Sequence, residues 1–156
     1  MIKNVEKKFT KKLQKYNLVN FFRFFSSIIE FKNVIVFFFI FFKTQYISKN
    51  QVKNFLKGII IIIILKNFIK RPRPFRKSKS IVNYDKRYFD EYSFPSGHSF
   101  TAFYIALALC CKIKSTFVKN ILLSSSLIIA LSRVYLGVHY ISDIMFSLLF
   151  AKYMVN

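Results

Sequence analysis

Long uninterrupted apolar runs, separated by short tracts of lysine, constrain this chain more than any other feature. Ile59–Leu65 is six isoleucines and a leucine, and Val36–Phe42 holds five phenylalanines. With 21 Phe in 156 residues, the apolar surface exceeds what so small a water-soluble core can hide. A hydrophobic fraction of 54% also excludes a disordered chain, which needs low hydrophobicity. In a bilayer the backbone must satisfy its own hydrogen bonds, so only helices or a closed barrel remain. A barrel strand alternates apolar and polar residues every second position. These runs do not alternate, so the chain is read as all-α.

A span needs about 20 mostly apolar residues, or fewer when its ends snorkel. Five segments qualify: Val34–Ile47, Phe55–Leu65, Ser99–Cys111, Phe117–Leu131 and Val138–Tyr153. Residues 16–31 are apolar but contain Arg23 and Glu30, so they form either a sixth span or an interfacial helix. The first fifteen residues are polar and carry six lysines, too many for the short basic region of a cleavable leader. The expectation is one domain over residues 1–156. It is an integral membrane bundle of five to six transmembrane helices, with an active site at one membrane face. Adjacent Cys110 and Cys111 in an apolar stretch exclude a disulfide framework or a cysteine metal site.

Lys and Arg number 26 against six acids, a formal charge of +20. Such a balance suits phosphate-rich nucleic acid, but here the cations cluster at the ends of apolar segments, where anionic head groups lie. No basic helix face with base-reading side chains accompanies them, so membrane lipids rather than nucleic acid are the expected partners. If residues 16–31 cross, fourteen cations share the N-terminal side, against nine in the loop from Lys66 to Phe94. That bias favours a cytoplasmic N terminus.

Three polar clusters sit at span ends, where ionisable groups are costly and mark function. The first runs from Lys66 to Pro74 and holds Lys66, Arg71 and Arg73. The second is Pro95-Ser96-Gly97-His98. The third extends from Ser132-Arg133 to His139 and Asp143. His139 and Asp143 are four apart, so on a helix they would share a face. The carboxylate could then hold one ring nitrogen as N–H and leave the other as a lone pair. Ser96 suits an N-cap, and the backbone N–H groups after it, bare at Gly97, form an anion site. Cations, two histidines and one carboxylate suit phosphoryl transfer without a metal: the cations hold the oxygens, one His attacks and one protonates the leaving group. Asp85, Asp90 and Glu91 are expected to offset the basic charge of their own loop.

These clusters, K-x6-RP, PSGH and SR-x5-H-x3-D, resemble the signature of the type 2 phosphatidic acid phosphatase (PAP2) superfamily, which includes vanadium haloperoxidases. The resemblance covers about residues 55–154, and the first 50 residues carry no motif. It implies His139 as nucleophile forming a phosphohistidine, Asp143 orienting it, and His98 as general acid. Lys66, Arg73 and Arg133 would bind the phosphoryl oxygens with Ser96 and the Gly97 N–H. The doubled Arg-Pro leaves Arg71 beside Arg73, and the family spacing selects Arg73. The implied activity is metal-independent and cofactor-free hydrolysis of a lipid phosphomonoester or diphosphate. Implied substrates are phosphatidate, phosphatidylglycerol phosphate, undecaprenyl diphosphate or lipid A phosphates. The implied location is the inner membrane, with the site on its extracytoplasmic side. A vanadate-dependent peroxidase would use the same residues, but such relatives are typically larger and soluble. A non-catalytic anchor on the same scaffold would not need the intact histidine set.

Overall fold

The computed structural model describes residues 2–85 and 91–155, and within them the chain is helical with no strand. Eight helices follow in order: α1 (Ile2–Leu13), α2 (Val19–Ile28), α3 (Phe31–Lys43), α4 (Lys49–Ile69), α5 (Pro74–Lys77), α6 (Gly97–Cys110), α7 (Thr116–Tyr135) and α8 (Ile141–Val155). Their starts follow local chemistry. Ser48 and Gln51 form a reciprocal capping box at α4, and the Ser96 and Ser115 side chains cap α6 and α7. α4 stops where Lys70 takes a left-handed φ of 50°.

α6 is the central helix. It is apolar on every side and buried almost throughout, and small residues Ala102, Ala106 and Ala108 let α7 and α8 approach it closely. α4 crosses α6 where Gly58 faces Phe100; a Cβ at Gly58 would stand 2.3 Å from the Phe100 ring. α4 and α6 run in opposite directions. The Tyr104 hydroxyl donates to the Gln51 carbonyl at 2.6 Å near the start of α4, so Lys66 and Gly97 come to the same end of the bundle. Isoleucines 60, 63 and 64, with Phe39, Phe117 and Leu149, are exposed around the outside. That belt fits lipid rather than water.

Judged by length and composition, α7 alone among the single helices of the described residues is long and apolar enough to cross a membrane. Val19–Ile28 and Asn33–Lys43 meet the same test together, bent by 48° at their junction, and α6 is apolar but only 14 residues long. α2, which covers most of residues 16–31, runs on into α3 at that bend.

The N-terminal segment departs from expectation. It forms helix α1, which docks at the end of the bundle that carries the three motifs. Glu6 and Thr10 are buried there. Gln14 donates to the carbonyls of Val82 (2.8 Å) and Tyr135 (2.7 Å). Lys8, Lys11, Lys12 and Lys15 stay exposed. The six N-terminal lysines thus share the motif-bearing end with the seven described cations of the 66–94 loop, thirteen against eight at the other end. They lie on the loop's side of the bundle and not opposite it, because α2 runs on into α3 at the 48° bend.

Candidate active site

The strip after α4 brings the first cluster to the third. Pro72 pairs with Tyr92 in an isolated antiparallel bridge, and the Ser93 N–H donates to the Arg71 carbonyl at 2.7 Å. Proline fixes φ on either side of Arg73, and the two arginines diverge in what they hold. Arg73 is fully buried. Its Nη1 donates to the Val138 carbonyl at 2.8 Å and lies 3.4 Å from His139 Nε2. Arg71 instead reaches Asp143 Oδ1 at 2.6 Å and Glu6 Oε2 at 2.9 Å. Arg73 thus lies against His139, and Arg71 against Asp143 and Glu6.

His139 lies in the turn between α7 and α8, not on α8. Gly137 shapes that turn with φ of 78°, and a side chain there would strike the Val82 carbonyl at 2.4 Å. The His139 N–H donates to the Arg133 carbonyl at 3.2 Å, which ties the turn to the end of α7. The ring Nδ1 is 2.6 Å from the Ser93 carbonyl. A carbonyl only accepts, so Nδ1 carries the hydrogen and Nε2 holds the lone pair. Asp143 Oδ2 is 3.6 Å from Nδ1, beyond a normal hydrogen bond. It accepts instead from the Tyr140 N–H at 2.9 Å. The shared helix face expected from the four-residue spacing is therefore replaced by a turn, and a backbone carbonyl makes the closer contact to the ring.

Electrostatics keep this imidazole neutral. Burial pushes its pKa well below the ordinary value. The charges of Arg73, Lys66 and Arg133 push it further the same way, opposed only by the bond to Ser93. All three expected phosphate-binding cations thus act on one buried ring. Lys66 sits in the last turn of α4. Arg133, fully buried, donates from Nη2 to Asp85 Oδ2 at 3.1 Å and from Nη1 to Ser26 Oγ. Asp85 is thus a buried partner of Arg133. Glu91 does pair locally, with Arg76 at 3.0 Å on the surface. Asp90 lies outside the described residues.

Ser96 is buried, and its hydroxyl accepts from the Ser99 N–H at 3.3 Å, which is the capping bond. Its N–H donates to Ser147 Oγ at 3.1 Å, and that hydroxyl also lies 2.8 Å from the Asp143 carbonyl. Ser147 thereby joins the second cluster to α8. Among the described residues, nothing beyond its chain neighbours and its own helix backbone lies within 4 Å of a Cβ built on Gly97. Gly97, His98 and Thr101 line one end of a cavity of about 430 Å³, whose other walls are apolar side chains of α3 and α4 such as Val34, Phe38 and Ile59. Among the described residues no group of three His, Cys, Asp or Glu is placed to hold a metal ion.

Sequence reasoning missed Ser93, Ser147, Ser26 and Glu6. Ser147 had a signal, standing four residues after Asp143 on one helix. Ser93 acts through its backbone, which no side-chain pattern reveals. Ser26 and Glu6 lie in segments without a motif.

The profile of the PAP2 superfamily matches residues 54–156. The fold is similar to that of LpxE from Aquifex aeolicus, with a TM-score of 0.82 and 24% identity over 97% of this chain and 92% of that one. It is also similar to the first transmembrane PAP2 type phosphatidylglycerolphosphate phosphatase from Bacillus subtilis, with a TM-score of 0.76 and 20% identity over 99% of this chain and 84% of that one. No curated protein matches the sequence.

Proposed function

The chain belongs to the PAP2 superfamily, and from that premise we propose that it is a membrane lipid phosphatase working through a phosphohistidine on His139. One observation carries this reading: a buried, neutral imidazole whose Nε2 lone pair faces Arg73 at 3.4 Å, while Lys66 and Arg133 add their charge at the same ring. Neutrality is what a nitrogen nucleophile needs. Preorganised cations are what a phosphoryl group needs as charge spreads over its oxygens.

In the proposed reaction, His139 Nε2 forms a bond to phosphorus as the bond to the lipid oxygen breaks. His98 gives that oxygen a proton, and water later cleaves the N–P bond to release phosphate. Lys66, Arg73 and Arg133 hold the equatorial oxygens, and the N–H groups at Gly97 add donors at the helix start. Asp143 lends a negative charge near Nδ1 and stabilises the imidazole as charge develops. Ser96 contributes chiefly by holding the first turn of α6 in place.

The structural relatives named above are a phosphatidylglycerolphosphate phosphatase and LpxE, and a lipid phosphomonoester or diphosphate is the substrate class we assign here. The cavity beside His98 supports a lipidic substrate, since its walls are apolar. Side-chain cations placed to hold the phosphoryl oxygens support metal-independent turnover. The test is phosphate release from a panel of phosphatidate, phosphatidylglycerol phosphate, undecaprenyl diphosphate and lipid A phosphates in detergent, with and without EDTA. Release from at least one lipid that persists in EDTA is expected. Turnover that vanishes in EDTA and returns with Mg²⁺ would overturn the metal-independent mechanism.

Family resemblance implies a site facing away from the cytoplasm, whereas thirteen described cations at the site end oppose that orientation by the positive-inside count. Cys111, exposed at the far end of α6, reports the answer. A membrane-impermeant thiol reagent applied to intact cells leaves it unlabelled if the site is extracytoplasmic, and labels it if the site faces the cytoplasm.

A further inference from the structure

We propose that Glu6 of the N-terminal helix is a positioning residue of the active site, acting through Arg71 on Asp143 and thence on His139. The inference rests on His139 being the reacting group, as proposed above. Glu6 is buried in a helix otherwise rich in exposed lysine. Its Oε2 lies 2.9 Å from Arg71 Nη2, and its Oε1 accepts from the Ser142 N–H at 3.0 Å. Arg71 in turn grips Ser142 Oγ and Asp143 Oδ1, each at 2.6 Å, with its guanidinium 4.0 Å from the centre of the Tyr140 ring. Both ends of the planar fork are therefore fixed, one by α1 and one by the first turn of α8.

This arrangement determines where the Asp143 carboxylate points. Asp143 is fully buried, and a buried carboxylate needs a partner of opposite charge. With Oδ1 taken by Arg71, Oδ2 is left toward the Tyr140 N–H at 2.9 Å and His139 Nδ1 at 3.6 Å. Without Glu6, the Arg71 guanidinium loses one of its two anchors and can rotate toward the phosphoryl site. Asp143 would then move with it. A helix with no family motif would thus complete the site.

Because the chain has two histidines, full-length protein carrying ¹⁵N-histidine in detergent gives two imidazole spin systems, assigned with His139→Ala. Glu6→Gln retains an acceptor for Ser142 but removes the charge. It should move the His139 ring resonances while leaving those of His98 in place, and lower kcat about tenfold with KM within about twofold, as small misplacements of reacting groups do. Arg71→Met should lower kcat by about 10²-fold, and adding Glu6→Gln to it should cost nothing more. Glu6→Asp should recover part of the loss.

Unmoved His139 signals in a folded Glu6→Gln protein would overturn the proposal, as would additive losses in the double variant. A lowered Tm with normal kcat would make Glu6 a fold clasp only. Should Glu6→Gln fail to fold, Arg71→Lys, too short in its donors to hold both carboxylates, carries the same test with the same opposed outcomes. If the wild type releases phosphate from no lipid yet Glu6→Gln still shifts His139, the phosphatase reading fails and the positioning role stands.

Discussion

The two ends of the helical bundle are both rich in cations and are built in opposite ways. At one end Arg73 and Arg133 are fully buried, each bonded to a defined group: Val138 and His139 for the first, Ser26 and Asp85 for the second. At the other, Lys53, Lys57 and Lys112 stand exposed around an open hollow of about 480 Å³. No acid occurs between Glu30 and Asp85 or between Glu91 and Asp143, so sequence supplies no local carboxylate to pair with these lysines. Exposed charges are screened within about 10 Å at ordinary salt and contribute little one by one. The cations at the site act together on a single buried ring. Position and desolvation, not charge count, separate a site from an anchor.

The largest effect that should separate the two ends comes from the imidazole itself. His139→Ala should lower turnover by about 10⁴-fold or more, as loss of a nucleophile does, with Tm little changed. His98→Ala should cost about 10²–10⁴-fold. That loss should shrink on an aryl phosphate whose leaving group needs no proton. An equal loss on both substrates would remove His98 from the role of general acid.

Stability should show the same asymmetry. Asp85→Asn takes one carboxylate from the buried Arg133, which should destabilise the fold by about 3–5 kcal/mol, measured by denaturant or thermal unfolding in detergent. A shift below about 1 kcal/mol would mean that water reaches this pair.

The pH dependence follows from the direction of the His139 shift. Its folded pKa is depressed by burial first and then by the three cations, so neutral imidazole persists as pH falls through about 6.5, the ordinary histidine value. On this account protonation of His139 adds no acid limb to kcat/KM near about 6.5, and its limb lies at more acid pH. The unfolded chain takes up the proton first, so stability is full above about 6.5 and decreases as pH falls below it. An acid limb centred at 6.5 would place His139 in water. Smallest of all, Lys53→Gln with Lys57→Gln at the far end should leave kcat/KM within about twofold.

The same contrast explains what could be read from the residues. The runs at Phe55–Leu65 and Phe117–Leu131 announced α4 and α7, because continuous apolar sequence has few ways to satisfy its backbone in lipid. Arg73, Arg133 and His139 were legible because charged side chains beside spans are rare and costly. The doubled Arg-Pro left two candidates, and only the three-dimensional path shows Arg71 turned to Asp143 and Glu6. The carbonyl of Ser93 carries no side-chain signature. Docking of α1 depends on one buried glutamate among lysines, a pattern that reads as solvated surface. For residues 16–31 a span and an interfacial helix both stayed open, because hydropathy does not report a bend after ten residues.

The central claim is that His139 becomes covalently phosphorylated, and rapid quenching tests it most directly. Protein mixed with a ³²P-labelled lipid phosphate and stopped within one turnover should carry label on the peptide containing His139. The label should be absent in His139→Ala and should accumulate where hydrolysis of the intermediate is slowed. Label retained in His139→Ala but lost in His98→Ala would reverse the assignment of the two histidines, and turnover with no trapped label on either would contradict the covalent route altogether.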